Sequence, residues 1–289
     1  MGSRRVTSIV LAFTAAFLFG LGLVLTKVGL RYVTPLSGAA IAIMSSTALF
    51  IGAALFAMED VTPVWEAVPI FATIGLMSPA AVALLTFAAN RALGPVMTGA
   101  LGNLAPLFAV TIAFVVLGEV PRMLQLGGLL AIVVGIVILT GACRGEGWRS
   151  WFLLLPLAAA ALRGATQATV KLGLEIWPNP FAAALVGYLV STVVVLTAAR
   201  VGTGRFVADA PAPGILWFAA VGWCNGLAAL LMYAALAHGS VALVSPLVAT
   251  YPMVTVVLST LLFGKVEGGM QLALGVALTV VGVALLIVG

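Results

Sequence analysis

Charge is what this sequence has least of. Asp, Glu, Lys and Arg make up 7% of its 289 residues, against about 25% in soluble chains, which excludes an ordinary water-soluble domain. All eight acids (Glu59, Asp60, Glu66, Glu119, Glu146, Glu175, Asp209 and Glu267) fall between long apolar runs or at their ends. A proton-coupled carrier of cationic drugs keeps a carboxylate deep in the membrane to hold its cargo and trade it for protons, so that reading loses its main support. One histidine, His238, and two distant cysteines, Cys143 and Cys224, make neither a metal motif nor a disulfide framework. An intramembrane enzyme needs a nucleophile with its base, or metal ligands, within the apolar runs. His238 sits in a turn with no buried acid to accompany it, so an enzyme is not expected. No glycine-rich loop resembles a phosphate cradle, and no cofactor is expected. The basic excess gives a net charge of +5 and a pI near 9.7. Its Lys and Arg are scattered between runs rather than gathered on one face, which excludes nucleic acid as a partner and points to anchoring at a lipid interface.

What is present is apolar length: 63% of residues are hydrophobic and the mean hydropathy is +1.27. A membrane-spanning helix needs roughly 20 apolar residues, about 30 Å of rise, and nearly every residue here belongs to such a run. Arg4 and Arg5 ahead of the first run resemble a signal peptide. That run continues past residue 25 with no small-residue cleavage site, so it reads as a first transmembrane helix. Breaks at Gly, Pro and charge delimit ten spans: Val6–Thr26, Leu36–Met58, Ala67–Ala89, Pro95–Leu117, Leu124–Ala142, Trp151–Gly173, Phe181–Ala199, Gly214–Leu236, Val241–Phe263 and Met270–Val288. An even number of spans puts both termini on one side of the membrane.

The chain also repeats itself. Phe17–Arg31 aligns with Ala161–Glu175, so that Leu18, Gly20, Lys27, Gly29 and Leu30 fall on Leu162, Gly164, Lys171, Gly173 and Leu174. Phe87–Glu119 aligns with Tyr233–Lys265, placing Pro106 on Pro252 and Gly118 on Gly264; beyond them Gln125 falls on Gln271. The expected organisation is a duplicated five-helix unit, residues 1–146 and 147–289, in one membrane domain. Five is odd, so the second copy enters the membrane upside down. Inverted repeats set a pseudo-twofold axis in the membrane plane, with a solute site near the midplane between halves. The expected fold is therefore an all-α integral membrane protein, ten transmembrane helices as two inverted five-helix repeats around a central cavity.

Phe19-Gly20 with Lys27-x-Gly29, the run ending Leu117-Gly118-Glu119, and the echoes Gly164, Lys171-x-Gly173 and Phe263-Gly264-Lys265 resemble the drug/metabolite transporter superfamily, in particular its ten-helix EamA-type exporters. The resemblance covers essentially the whole chain and departs at Lys265, which stands where the first half has Glu119. It implies export of amino acids and related metabolites from bacteria, aromatic amino acids included, and a cavity lined by spans one, three, four, six, eight and nine. It also implies an inner-membrane location with both termini in the cytoplasm. That orientation leaves Arg4, Arg5, Arg122 and Lys171 inside and the other eight cations between spans outside, against the positive-inside rule.

The candidate site residues are polar groups at mid-depth. Arg163, Thr166, Gln167, Val170 and Lys171 share one helical face through i, i+3, i+4 steps. A guanidinium fits a carboxylate in two-point contact, so Arg163 either meets the carboxylate of a solute or hydrogen-bonds backbone carbonyls and braces a kink. Lys27 and Lys171, near span ends, either snorkel to the headgroups or stand symmetrically about the site. Trp223 at mid-depth reads as a cavity wall for stacking. Asn225 and Ser78 contact the solute or bond between helices. Tyr251 joins Asn90, Thr98 and Asn103 in a looser polar set. Pro106, Pro252, Pro79 and Pro246 each remove a backbone bond within a span, making hinges or static kinks. Gly128 with Gly135, and Gly275 with Gly282, predict close helix packing. The function expected is a gradient-driven or facilitative transporter of a zwitterionic or anionic solute with an apolar body. The alternative cargo, a nucleotide sugar or other phosphorylated metabolite, calls for more than one central cation. The partners expected are a small-molecule substrate and the bilayer.

Overall fold

The computed structural model describes residues 2–57, 62–102, 104–142, 150–204 and 210–264, with isolated positions between 271 and 285. Eleven α-helices are traced among them: α1 (Gly2–Gly29), α2 (Pro35–Ala57), α3 (Val68–Gly75), α4 (Val82–Gly102), α5 (Ala105–Leu117), α6 (Met123–Ala142), α7 (Leu154–Ile176), α8 (Pro180–Thr203), α9 (Ala212–His238), α10 (Val241–Val248) and α11 (Tyr251–Phe263). No strand occurs among the described residues. Among the described residues, seven helical segments are long and apolar enough to cross a membrane. Local chemistry starts them where the repeat predicts. Pro35 and Pro180 open α2 and α8, with their missing N–H at a position that needs none. Thr34 Oγ1 accepts from Ser37 N at 3.3 Å and Asn179 Oδ1 from Ala182 N at 3.0 Å, capping the same two helices.

Among the described residues, three spans are broken. In the third, α3 passes through a π-helical turn, Leu76–Ala81, into α4, and Ser78 leaves helical geometry at φ −147°, ψ 136°. Gly94, at φ 79°, turns the chain within α4, so Pro95 begins the fourth span. That span breaks again at Leu104 before α5, as the ninth breaks at Thr250 between α10 and α11. The two breaks match bond for bond. Leu104 N donates to Leu101 O and Leu107 N to Leu104 O; Thr250 N donates to Leu247 O and Met253 N to Thr250 O. Pro106 and Pro252, second residues of α5 and α11, cannot complete the ordinary ladder, so each junction tightens to i→i+3 bonds. Gly118 (φ 66°) and Gly264 (φ 87°) then end the two spans in a conformation that favours glycine.

Packing confirms the inversion. Ser8, near the start of α1, donates to Ala235 O near the end of α9 at 3.0 Å, whereas Gly29 at the end of α1 lies against Phe218 near the start of α9. The two helices are antiparallel. Repeat-matched glycines meet matched partners: a Cβ at Gly20 would strike Tyr251 O and Val254 (each 2.7 Å), and one at Gly164 would strike Ala105 O and Phe108 Cβ (each 2.7 Å). Gly29 gives way to Phe218 as Gly173 does to Phe71. A Cβ at Gly282 would come within 2.6 Å of Gly128 O, so spans five and ten touch through the predicted small residues. The pseudo-twofold axis passes between Thr47 of α2 and Thr192 of α8, whose hydroxyls are 2.7 Å apart. Both lie near the middle of their helices, which sets the axis at mid-depth.

Candidate functional site

A cavity of about 100 Å³ opens beside this axis, room for several waters. Spans one, three, four, six, seven, eight and nine supply its walls. Arg163, half-buried on α7, reaches into it. Its Nη1 donates to the Tyr251 hydroxyl at 3.0 Å and its Nη2 to Thr86 Oγ1 at 3.3 Å, and the guanidinium carbon stands 5.6 Å from the Tyr251 ring centroid. Tyr251 in turn donates to Gly99 O at 3.3 Å, and only a glycine at 102 leaves room for that phenol. Spans three, four, six and nine are thus tied through two side chains, Arg163 and Tyr251. Both partners of the guanidinium are neutral, and no carboxylate pairs with it among the described residues. The position matching Arg163 in the first repeat is Phe19, also on the lining. One wall therefore carries a fixed charge and the matching wall a phenyl ring.

Ten apolar spans in two inverted copies around such a cavity make a solute carrier, and the chain matches the EamA-like transporter family twice, over residues 6–141 and 150–288. The chain is a member of that family. None of the curated proteins matches it. A solved structure titled only as the crystal structure of a protein is 21% identical, with a TM-score of 0.77 over 96% of this chain and 97% of that one, which supports the fold. The protein is accordingly a multi-pass membrane transporter of the drug/metabolite type.

In this transporter Ser78, Thr166, Arg163, Asn225 and Tyr251 come together on the cavity wall. Four other expected site residues stand elsewhere. Trp223 is 56% exposed on the outer surface of α9; it lies two residues from Asn225, hence about 200° around the helix, and the two cannot share a face. Gln167 is fully buried between helices, outside the lining, with Oε1 unpartnered. Lys171 neither lines the cavity nor reaches for headgroups: its Nζ donates to Leu236 O at 3.0 Å and Gly239 O at 3.2 Å, holding the C-terminus of α9. Lys27 is half-buried near the end of α1, also off the lining.

Of the prolines, Pro79 sits at the break of span three, and Pro106 and Pro252 open the half-helices α5 and α11. Pro246 marks no break, because α10 runs through it to Val248. Asn90 is buried between helices with Nδ2 on Leu23 O at 3.4 Å, Thr98 lines the cavity, and Asn103 lies outside the described residues. So do Cys143, Lys265 and the 146/147 boundary.

Spacing alone missed Thr86, Tyr188 and Tyr233. Tyr188 carried a readable signal: Tyr prefers membrane interfaces, and it stands well inside span seven on the lining, whereas Tyr233 lies near the end of span eight. Glu119 gained a role as well, since its Oε2 accepts from Val241 N at 3.0 Å and so caps the N-terminus of α10.

Proposed function

We propose that this transporter exports amino acids, aromatic and neutral ones included, by alternating access across a bacterial inner membrane, with both termini in the cytoplasm. The observation that carries the reading is the Arg163 guanidinium, presented at mid-depth to a cavity and held by neutral hydroxyls. A charge in that setting costs roughly 3 kcal/mol or more, and a solute carboxylate offers it the bidentate partner that hydroxyls do not. Phe19, Phe87, Val82 and Met232 supply an apolar wall for a side chain. Phosphorylated cargo fits less well, because Arg163 is the only Lys or Arg among the described lining residues.

Counterflow in proteoliposomes with labelled amino acids, sugars and organic cations tests this. Exchange is expected with neutral amino acids, and Arg163→Ala is expected to cut it at least about tenfold. Unchanged exchange of carboxylate substrates by the variant would remove Arg163 from the mechanism.

A further inference from the structure

We propose that the cavity holds, beside Arg163, a second subsite: two backbone carbonyls, Gly102 O and Val248 O, deprived of their i+4 donors by matched prolines, which together receive the ammonium group of a zwitterionic solute. The proposal rests on reading Arg163 as the carboxylate anchor, and it narrows the cargo from carboxylates in general to α-amino acids.

The argument starts with what proline removes. In a continuous helix the carbonyl of residue i accepts from the N–H of residue i+4. The residues four beyond Gly75, Gly102 and Val248 are Pro79, Pro106 and Pro252, so each of these carbonyls loses its ladder donor. The chain treats the three differently. Gly75 O is repaired by the hydroxyl of Ser191 on α8, which donates to it and also accepts from Ala80 N at 3.3 Å. Gly102 and Val248 receive no described side-chain donor, and both line the cavity.

They are also repeat partners, four residues before matched prolines, so the pseudo-twofold brings the two acceptors to the same cavity from opposite halves. A carbonyl left short of donors in an apolar setting is costly, and half-helix ends with freed carbonyls are where carriers coordinate monocations at mid-depth. Arg163 stands next to one of them: its Nη1 is 3.3 Å from where a Cβ at Gly102 would lie. An anion site and a cation site then adjoin, as the carboxylate and ammonium of one α-carbon do. The cavity lining shows no acid among the described residues, so carbonyl dipoles are the acceptors at hand for a positive group.

Competition in the counterflow assay separates the groups. Phenylalanine and leucine are each compared with the deaminated acid of the same skeleton and with the decarboxylated amine. The amino acids are expected to compete, and the deaminated acids to be at least about tenfold weaker. Pro106→Ala and Pro252→Ala restore the missing N–H; each is expected to weaken phenylalanine several-fold while leaving phenylpropionate unchanged. Deaminated acids that compete as well as the amino acids would overturn the ammonium subsite and leave the carboxylate reading standing. Amines that compete as well as the amino acids would overturn the carboxylate reading instead. Replacing sodium by choline is the remaining arm. Equal loss for amino acids and deaminated acids would show that the carbonyls serve an inorganic cation, which also overturns the assignment. No competition by any amino acid would end both.

Discussion

At the scale of single residues, the geometry of one cation decides most of what the cavity can do. A guanidinium presents five donors in a rigid fork, whereas an ammonium is a compact point charge on a flexible stem. Arg163→Lys is therefore expected to keep some carboxylate recognition but lose the two-point fit, weakening neutral amino acids by about tenfold in counterflow, and to release Thr86 or Tyr251. Trp223→Ala is the matched control. Its ring faces lipid, so exchange is expected to stay within about twofold of the parent; a loss comparable to that of Arg163→Ala would mean that the indole enters the cavity during the cycle. These cases also show what was legible in advance. Arg163, Thr166, Ser78, Asn225 and Tyr251 could be read from the sequence because polar atoms at mid-depth must go somewhere. Depth alone does not say which way a side chain points. Trp223 and Asn225 lie at almost the same depth on opposite faces of α9, and a helix polar at few positions leaves its orientation unmarked.

At the scale of elements, the two repeats differ in how they handle the same stitch. Ser191 and Ser46 are matched residues bonding to matched carbonyls, Gly75 O and Gly222 O. The first carbonyl has lost its ladder donor to Pro79. The second lies within the unbroken α9, where Gly226 still supplies an N–H, and Ser46 also donates to Ala42 O at 2.9 Å. Ser191→Ala thus removes at once the bond to Gly75 O and the bond from Ala80 N at the broken turn, a cost of about 1–3 kcal/mol, whereas Ser46→Ala gives up a supplementary bond. A clearly lower Tm in detergent is expected for the first variant than for the second; equal losses would contradict the different roles assigned to the two hydroxyls. The breaks themselves were legible, because Pro79, Pro106 and Pro252 remove donors wherever they stand. The unbroken run through Pro246 was not. Whether a proline bends a helix depends on what its neighbours pack against, and α10 is buried along its whole length.

At the scale of the whole molecule, the inverted symmetry is broken most sharply at its two corners. On one face, the turn from α9 to α10 is held by opposite charges at the ends they suit: Lys171 at the carbonyl end of α9 and Glu119 at the N–H end of α10. The matching corner on the other face is Gly94-Pro95. Pro95 has no N–H to cap there, and Lys265 replaces the acid in the repeat. Phe19–Thr26 of span one, Thr98 and Gly102 of span four and Pro156 to Arg163 of span six line the cavity on the half nearer that second face, whereas Ala229, Met232 and Tyr233 of span eight line it nearer the first. The clamped corner lies at the end near the N-terminus, and the alternating access proposed above requires it to let go. Glu119→Gln keeps the shape and one acceptor but removes the charge that favours a helix N-terminus, a change of about 0.3–2 kcal/mol. In a background with Cys143 and Cys224 replaced by Ser, a cysteine at Val244, fully buried on α10, is expected to react slowly with an impermeant maleimide applied from the N-terminal side. Adding Glu119→Gln is expected to speed that labelling several-fold, and saturating transported amino acid to change it in both backgrounds. Labelling indifferent to residue 119 would show that the corner is held by packing alone and that the charges there do not set which face opens.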